Sequence, residues 1–595
     1  MGRWIAVCLL GLALLVVGPS ALHAEKSPAP AQAVPQAGAT AGTAQTWVNM
    51  AWILVCGFLV FFMQAGFALV ETGLVRAKNA AHTMAMNVMV YSLGVLGFWV
   101  CGFAFMFGNH GPILSLDSAP ILESEWPSHA FGLIGHDGFF LAGRSVDMGV
   151  LALFLFQVMF LDTAATISTG ALAERWKFLA FVIYALFMST VLYPVYGNWV
   201  WGHGWLARMG ENWGLGHGHV DFAGSSVVHM VGGVTALAGA IVLGPRLGKF
   251  RPDGRPNPLP AHNVPMYMVG TLLLAFGWFG FNSGSTLAAS DLNVARIAVN
   301  TALASAAGAC AAMCYMWRRY RKPDPSFLCN GMLAGLVSIT ASCAFVQPWA
   351  AVLIGAVAGL VVVWSALTLE RFFRIDDPVG AIAVHGVSGV WGVLALGLLA
   401  DGTYPLRGGW NGVDGPVAGL FYGDGAQFGA QCIGLAANLL WVFPVAYGFF
   451  RVVDRLVGNR VSPPVEFQGL DVPELGALAY ITQDPKVPEG RMIVQVSREP
   501  RPATVPPNGY KRFTVVVQGP DAETLAQAWS ALCHVTEKPP PAEFQAVYPF
   551  MTTFQDHRFR FRGGEPESMR TSLERLLQAQ LPGQSVHAHV EMEAK

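Results

Sequence analysis

Charge is scarce in this chain: only 12% of its 595 residues are Asp, Glu, Lys or Arg, against about a quarter in a typical soluble domain. That shortage excludes a soluble body for most of the chain. A net charge of −1 argues against nucleic acid as the main partner. Cysteine is sparse too. Of nine, Cys8 falls in the leader and the others mostly sit in apolar runs; Cys310 and Cys314 share a helix face without His or Asp beside them. They read as small hydrophobes, not as a metal site or disulfide framework. No nucleophile–base pair or metal-ligand set is visible, so an enzyme is not expected and no cofactor is implied.

What the chain has in excess is apolar sequence, 53% of residues. "MGRWIAVCLLGLALLVVGPSALHA" (1–24) has one basic residue, a short apolar core and small residues near Ala24, which reads as a signal peptide more readily than as an uncleaved anchor. Residues 25–45 are Pro/Ala-rich, a flexible extracytoplasmic tail. Between 46 and 456 lie eleven apolar segments of spanning length, the eighth near 326–345 and the last near 425–452. Connections after odd segments carry the bases: Arg76 and Lys78, Arg175 and Lys177, Arg246 to Arg255, Arg318 to Lys322, Arg371 and Arg374. Connections after even segments hold few, among them Arg144, Arg208 and Arg407. Positive-inside counting predicts a multi-pass cell-membrane (inner-membrane) protein with its N-terminus outside and C-terminus in the cytoplasm.

A motif recurs across this arrangement. "DFAGSSVVH" places His229 eight residues after Asp221, and "DDPVGAIAVH" places His385 eight residues after Asp377. The first unit opens the fifth segment from outside, the second opens the tenth from the cytoplasm. Two such units running in opposite directions imply an inverted repeat of five plus five helices, with the site near the midplane. Eight residues of helix rise about 12 Å, so both imidazoles are expected to meet near the centre of a core about 30 Å thick. A lone membrane histidine often serves only packing; two at symmetry-related positions point to a conduit. Facing imidazoles suit a neutral polar molecule or a proton relay. Asp221 and Asp377 are expected to cap their helices, and Asp221 also to draw cations toward the outer mouth.

Most aromatic residues are explained by lipid, core or interfacial contacts. Phe156 and Phe160 in "FQVMF", Trp201 in "VWGHGW", and Trp278, Phe281 and Ser285 in "WFGFNSGS" are candidates for more. Aromatic faces with a hydroxyl hold a small cation by cation–π attraction and one hydrogen bond. Glycine at small-xxx-small spacing, as in 232–240 and 355–360, indicates close helix contact.

At these residues the chain resembles the ammonium transporter/Rhesus family. The resemblance spans most of 47–480 and rests on "GFALVETGLVRAKN" (66–79), "GALAERWKF" (170–178), "DFAGSSVVH" (221–229), "GWFGFNSGS" (277–285) and "DDPVGAIAVHG" (376–386). It implies a homotrimer in a lipid membrane, each protomer with eleven helices and its own pore for ammonium/ammonia. It implies an outer recruitment site at Phe160, Trp201 and Ser285 with Asp221 buried beside it. The phenyl gate would be Phe160 and Phe281, adjoining Phe156. Pore lining would come from Trp278 and the twin histidines His229 and His385.

The chain departs from that pattern in three places. Asp162 is a carboxylate where a neutral residue is expected near the pore mouth. Leu475 replaces a usual histidine in the tail segment "ELGALAY" (474–480). After a cytoplasmic tail and linker (457–509), residues 510–595 form an extra soluble α+β domain. Its expected order is strand 512–519, helix 522–535, strands 543–550 and 557–563, helix 567–579, strand 585–591, a ferredoxin-like plait, with 491–497 as a further strand. The domain is read as regulatory, with a cytoplasmic protein or ligand as partner. Two functions compete. The twin histidines and phenyl pair favour an ammonium transporter; the appended domain and Asp162 favour an ammonium sensor with little flux.

Overall fold

The computed structural model describes residues 41–480 except 109, 119–131, 407–412 and 414, and in the C-terminal part 512–518, 551–555, 558–562, 566–581 and 587–592. The leader, the linker and the expected elements at 491–497, 522–535 and 543–550 lie outside the described residues. The chain divides into two compact units, Met1–Arg460 with Leu470–Ala479, and Val461–Gly469 with Tyr480–Lys595.

Among the described residues of the first unit ten helices are long and apolar enough to cross a membrane: Ala44–Leu74, Ala77–Phe107, Met148–Leu172, Phe178–Trp201, Ser225–Leu243, Val264–Gly284, Asn293–Tyr320, Pro348–Arg371, Ile382–Leu399 and Gly425–Leu456. This is a multi-pass membrane protein. Local chemistry sets several starts: Asp147, Asn263, Asp324 and Asp424 each accept backbone N–H bonds from the first turn that follows.

The eighth expected segment departs from a full span. It is a 15-residue helix, Pro325–Ile339, about 23 Å long at the usual rise. The chain then turns through 340–346. Backbone groups in an apolar layer must be paired, and here the partner is another segment: Phe222 N–H donates to Ala341 O and Ala223 N–H to Thr340 O. Ala341 N–H completes the join on Ser225 Oγ at 2.8 Å.

Glycine lets the helices touch. A Cβ on Gly270 would lie 2.7 Å from Gly66 O, joining Ala44–Leu74 to Val264–Gly284. Gly355 and Gly359 meet the backbones of Ala304 and Gly308 in the same way. The thiols of Cys56, Cys101, Cys329 and Cys343 are buried as expected, but those of Cys310, Cys314 and Cys432 are exposed. Helix packing turns them outward, which composition alone did not reveal.

One end of the unit is tied by charge. Glu174 accepts from Arg76 Nε at 2.5 Å and Arg246 Nη1 at 2.7 Å. Arg246 also grips Asp376 with both Nε (2.8 Å) and Nη2 (2.9 Å). Burial opposes the charge on Glu174 and Asp376, but Arg246 outweighs it, with help from Arg76 and Arg175 respectively, and holds both carboxyls below the usual range. The tail segment joins this end: Asp471 accepts from His82 N–H at 2.8 Å and Glu474 from Phe178 N–H at 2.9 Å.

In the second unit the described strands form one antiparallel sheet in the order Met551–Gln555, Arg558–Arg562, Arg512–Gln518, His587–Met592. Val515 pairs with Phe559 on one side and Val590 on the other. Helix Pro566–Gln580 packs on the sheet, burying Leu573, Leu576 and Leu577. The described strand before Arg558 is Met551–Gln555.

Candidate functional site

The two Asp–His units fold alike. Asp221 accepts backbone N–H bonds from Gly224, Ser225, Ser226 and Val227 at 2.7–3.0 Å. Asp377 accepts from Ala381 at 2.9 Å and Ile382 at 2.7 Å. Both acids therefore cap, as expected. Three residues past each lies a glycine with positive φ, Gly224 at 121° and Gly380 at 80°, a backbone that glycine adopts freely. Each unit then winds through a widened π turn, Ser225–Met230 or Ile382–Val387, that carries its histidine. Burial pushes Asp377 up to about 6 against its backbone donors, and burial likewise raises Asp221. Both oxygens of Asp221 are engaged and the residue is buried. Its carboxylate thus holds the helix start and is shut off from direct contact with solvent.

The histidines meet. His229 Nδ1 and His385 Nδ1 are 3.1 Å apart, one donating and one accepting, with ring centroids 5.2 Å apart and an interplanar angle of 29°. His229 Nε2 has no hydrogen-bond partner among the described residues. The close approach depends on Gly233, where a Cβ would run into the backbone of Gly386. Gly233→Ala is expected to cost about 1–3 kcal/mol by overpacking and to push the rings apart; a thermal melt of variant against wild type checks it.

A file of rings continues from the pair. Phe281 lies 5.6 Å from His229 and Trp278 5.1 Å from it, both near-parallel. Phe160 stacks on Phe281 at 4.0 Å and 23°. Phe156 and Trp201 flank Phe160 at 4.7 and 5.9 Å. Residues 156 and 160 share one helix face by their spacing. Indole N–H groups fix the tryptophans: Trp201 donates to Asp221 O at 2.7 Å and Trp278 to Thr340 Oγ1 at 2.9 Å. Ser285 Oγ donates to Phe281 O at 2.9 Å, which leaves its lone pairs available to a donor. On the far side of the pair Phe67 is 5.9 Å from His385. A cavity of about 20 Å³ opens there, lined by Phe67, Glu71, Asn330 and His385 among others.

Every sequence-selected site residue belongs to this file or braces it. Asp162 does not. Two residues past Phe160 is about 200° around the helix, so it faces away from the rings, and its Oδ1 has no hydrogen-bond partner among the described residues. It therefore stands apart from the ring stack on its helix. Residues overlooked in the sequence are Thr340, which orients Trp278, and Glu71. The signal for Glu71 was present: a lone carboxylate within an apolar span.

The fold and this file define a multi-pass membrane protein with a buried stack of aromatic and imidazole rings in its interior. The Ammonium Transporter Family model matches residues 51–480. The chain is 47% identical over 436 residues to "Ammonium transporter Amt2" of Archaeoglobus fulgidus, covering 73% of this chain and 88% of that one. It is 35% identical to "Ammonium transporter 1 member 3" of Solanum lycopersicum, covering 73% and 93%. Among solved structures, one called "Sensor Amt Protein" superposes with a TM-score of 0.64 at 36% identity, covering 73% of this chain and 99% of the other. Candida albicans Mep2 superposes with a TM-score of 0.59 at 28% identity, covering 70% and 87%. This chain belongs to the ammonium transporter family. Its named relatives are transporters, not enzymes.

Proposed function

We propose that the protein is an ammonium transporter that takes NH₄⁺ from outside, removes its proton, and passes NH₃ to the cytoplasm between His229 and His385 while the proton follows along the imidazoles. The observation that carries this reading is the continuous file from Trp201 and Phe160 through Phe281 to two histidines joined at 3.1 Å. Phe160, Trp201 and Ser285 recruit the cation by ring faces and a hydroxyl acceptor, worth about 2 kcal/mol when desolvated. Phe156, Phe160 and Phe281 gate it. Asp221 holds Trp201 and the start of the His229 helix, and Trp278 lines the path beside His229.

Selectivity follows from solvation. Carrying a bare monovalent cation into a low-dielectric passage is very costly, whereas a neutral amine is cheap to move. Potassium has no proton to lose, so the same route rejects it. In this reading the membrane unit has eleven helices, the short Pro325–Ile339 counting as one, arranged as two inverted halves. The assembly is a homotrimer in the cell's inner membrane, with its N-terminus outside and C-terminus inside. The sheet order of the second unit is the one a ferredoxin-like plait has, which supports a regulatory domain with a cytoplasmic partner.

A second reading, an ammonium sensor, is favoured by that appended unit and by the likeness to a protein called a sensor. Solid-supported-membrane electrophysiology separates the two. An ammonium pulse on proteoliposomes is expected to give a sustained current from the full chain and from a form ending before residue 510. Ammonium binding without current would overturn transport in favour of sensing.

A further inference from the structure

We propose that Glu71 is the group that receives the transported proton from His385 and hands it on toward the cytoplasm; this rests on the conduction reading above. Only two residues lining the cavity of about 20 Å³ beyond the histidine pair ionise, His385 and Glu71. A cavity of that size holds one water, enough to link an imidazole to a carboxyl by a hydrogen-bonded bridge.

Glu71 is buried, on the helix Ala44–Leu74, one turn before that helix ends. Its partners are neutral donors. Asn87 Nδ2 donates at 2.7 Å and Thr169 Oγ1 lies 2.8 Å from both oxygens. Among the described residues no ion pair reaches it. Gln64, bonded to Asn87 O at 2.6 Å, holds Asn87 in place. A buried carboxyl without a cationic partner changes charge state more readily than one locked to an arginine. The carboxylate of Glu174, by contrast, is held by Arg76 and Arg246 and is unsuited to the task.

The protons balance. NH₄⁺ gives its proton to the neutral histidine pair and leaves as NH₃. The imidazolium at His385 returns to imidazole as the bridging water passes a proton to the Glu71 carboxylate. The carboxylic acid then releases that proton to water on the cytoplasmic side, restoring the starting state. No oxidant or co-reactant is needed.

Glu71 also joins three helices through Asn87 and Thr169, so the test must separate a proton carrier from a brace. Wild-type, Glu71→Gln and Glu71→Asp full-length proteins are reconstituted, and both current and lumenal alkalinisation are followed after an ammonium pulse. Expected are a current reduced at least about tenfold in Glu71→Gln, alkalinisation retained because NH₃ still crosses, and current restored in part by Glu71→Asp. If Glu71→Gln does not assemble, Glu71→Leu, which removes the buried polar group altogether, is expected to show the same split. A conducting wild type with an equally conducting Glu71→Gln overturns the proposal alone. Loss of current and alkalinisation together in a folded variant also overturns it, as does a folded Glu71→Asp that carries no current. A wild type without current sinks the conduction reading first and this proposal with it.

Discussion

Arg246→Ala is expected to destabilise the membrane unit by about 3–5 kcal/mol, the usual penalty for breaking a buried ion network from one side. Arg246 is buried and donates to Glu174 at 2.7 Å and to Asp376 at 2.8 and 2.9 Å. Removing it leaves two desolvated carboxylates with weaker claims on Arg76 and Arg175. The pH dependence supplies the check. In the wild type both carboxyls are held below their ordinary values, so their contribution is complete above the unfolded carboxyl range and is lost as pH falls through the folded values. In the variant burial is less opposed and the folded values rise, so stability is gained as pH falls. The stability gap between the two proteins should therefore narrow from pH 7 toward pH 5 in detergent thermal melts. A gap that stays constant or widens would show that the network does not hold the unit together electrostatically. Adding Glu174→Gln and Asp376→Asn to Arg246→Leu should recover most of the loss, because it removes the stranded charges with the cation.

The parts of the molecule that were legible in the sequence are those encoded locally. The interval from Asp221 to His229 and from Asp377 to His385 prescribes a cap, a glycine turn and a histidine two helical turns on, all within nine residues. The pairing of the rings required the further step of reading one unit as the inverse of the other, and the 3.1 Å contact agrees with it. What stayed hidden depends on distant partners. The end of Pro325–Ile339 is set by 222–225 across the fold, and nothing in "SITASCAFV" (338–346) announces it. Asp162 is close to Phe160 in sequence, yet on a helix two residues is nearly the opposite face. Glu71 is the one carboxylate in "GFALVETGLVRAKN" (66–79), a stretch whose resemblance to a family masks its charge. The exposed thiols of Cys310, Cys314 and Cys432 follow from which helix faces find partners, which hydropathy does not record.

His229→Ala is expected to lower the ammonium current by about a hundredfold or more, the range associated with losing a positioned proton-transfer group, without unfolding the protein. The ring is wedged between Trp278, Phe281 and His385. Truncation thus leaves a space in the ring stack and deprives His385 Nδ1 of its partner at 3.1 Å. Packing loss of this kind costs about 2–4 kcal/mol, and the helix itself is spared because its start is held by four N–H bonds to Asp221 rather than by the imidazole. Selectivity should fall along with rate. On the transport mechanism proposed above, the space would admit water, and a hydrated path would lower the solvation barrier to potassium. Currents from matched ammonium and potassium pulses, measured on variant and wild type in the same vesicles, test both effects. The decisive quantity is the ammonium-to-potassium ratio: a variant that keeps both its ammonium current and that ratio would mean that the imidazole neither carries the proton nor keeps the passage dry.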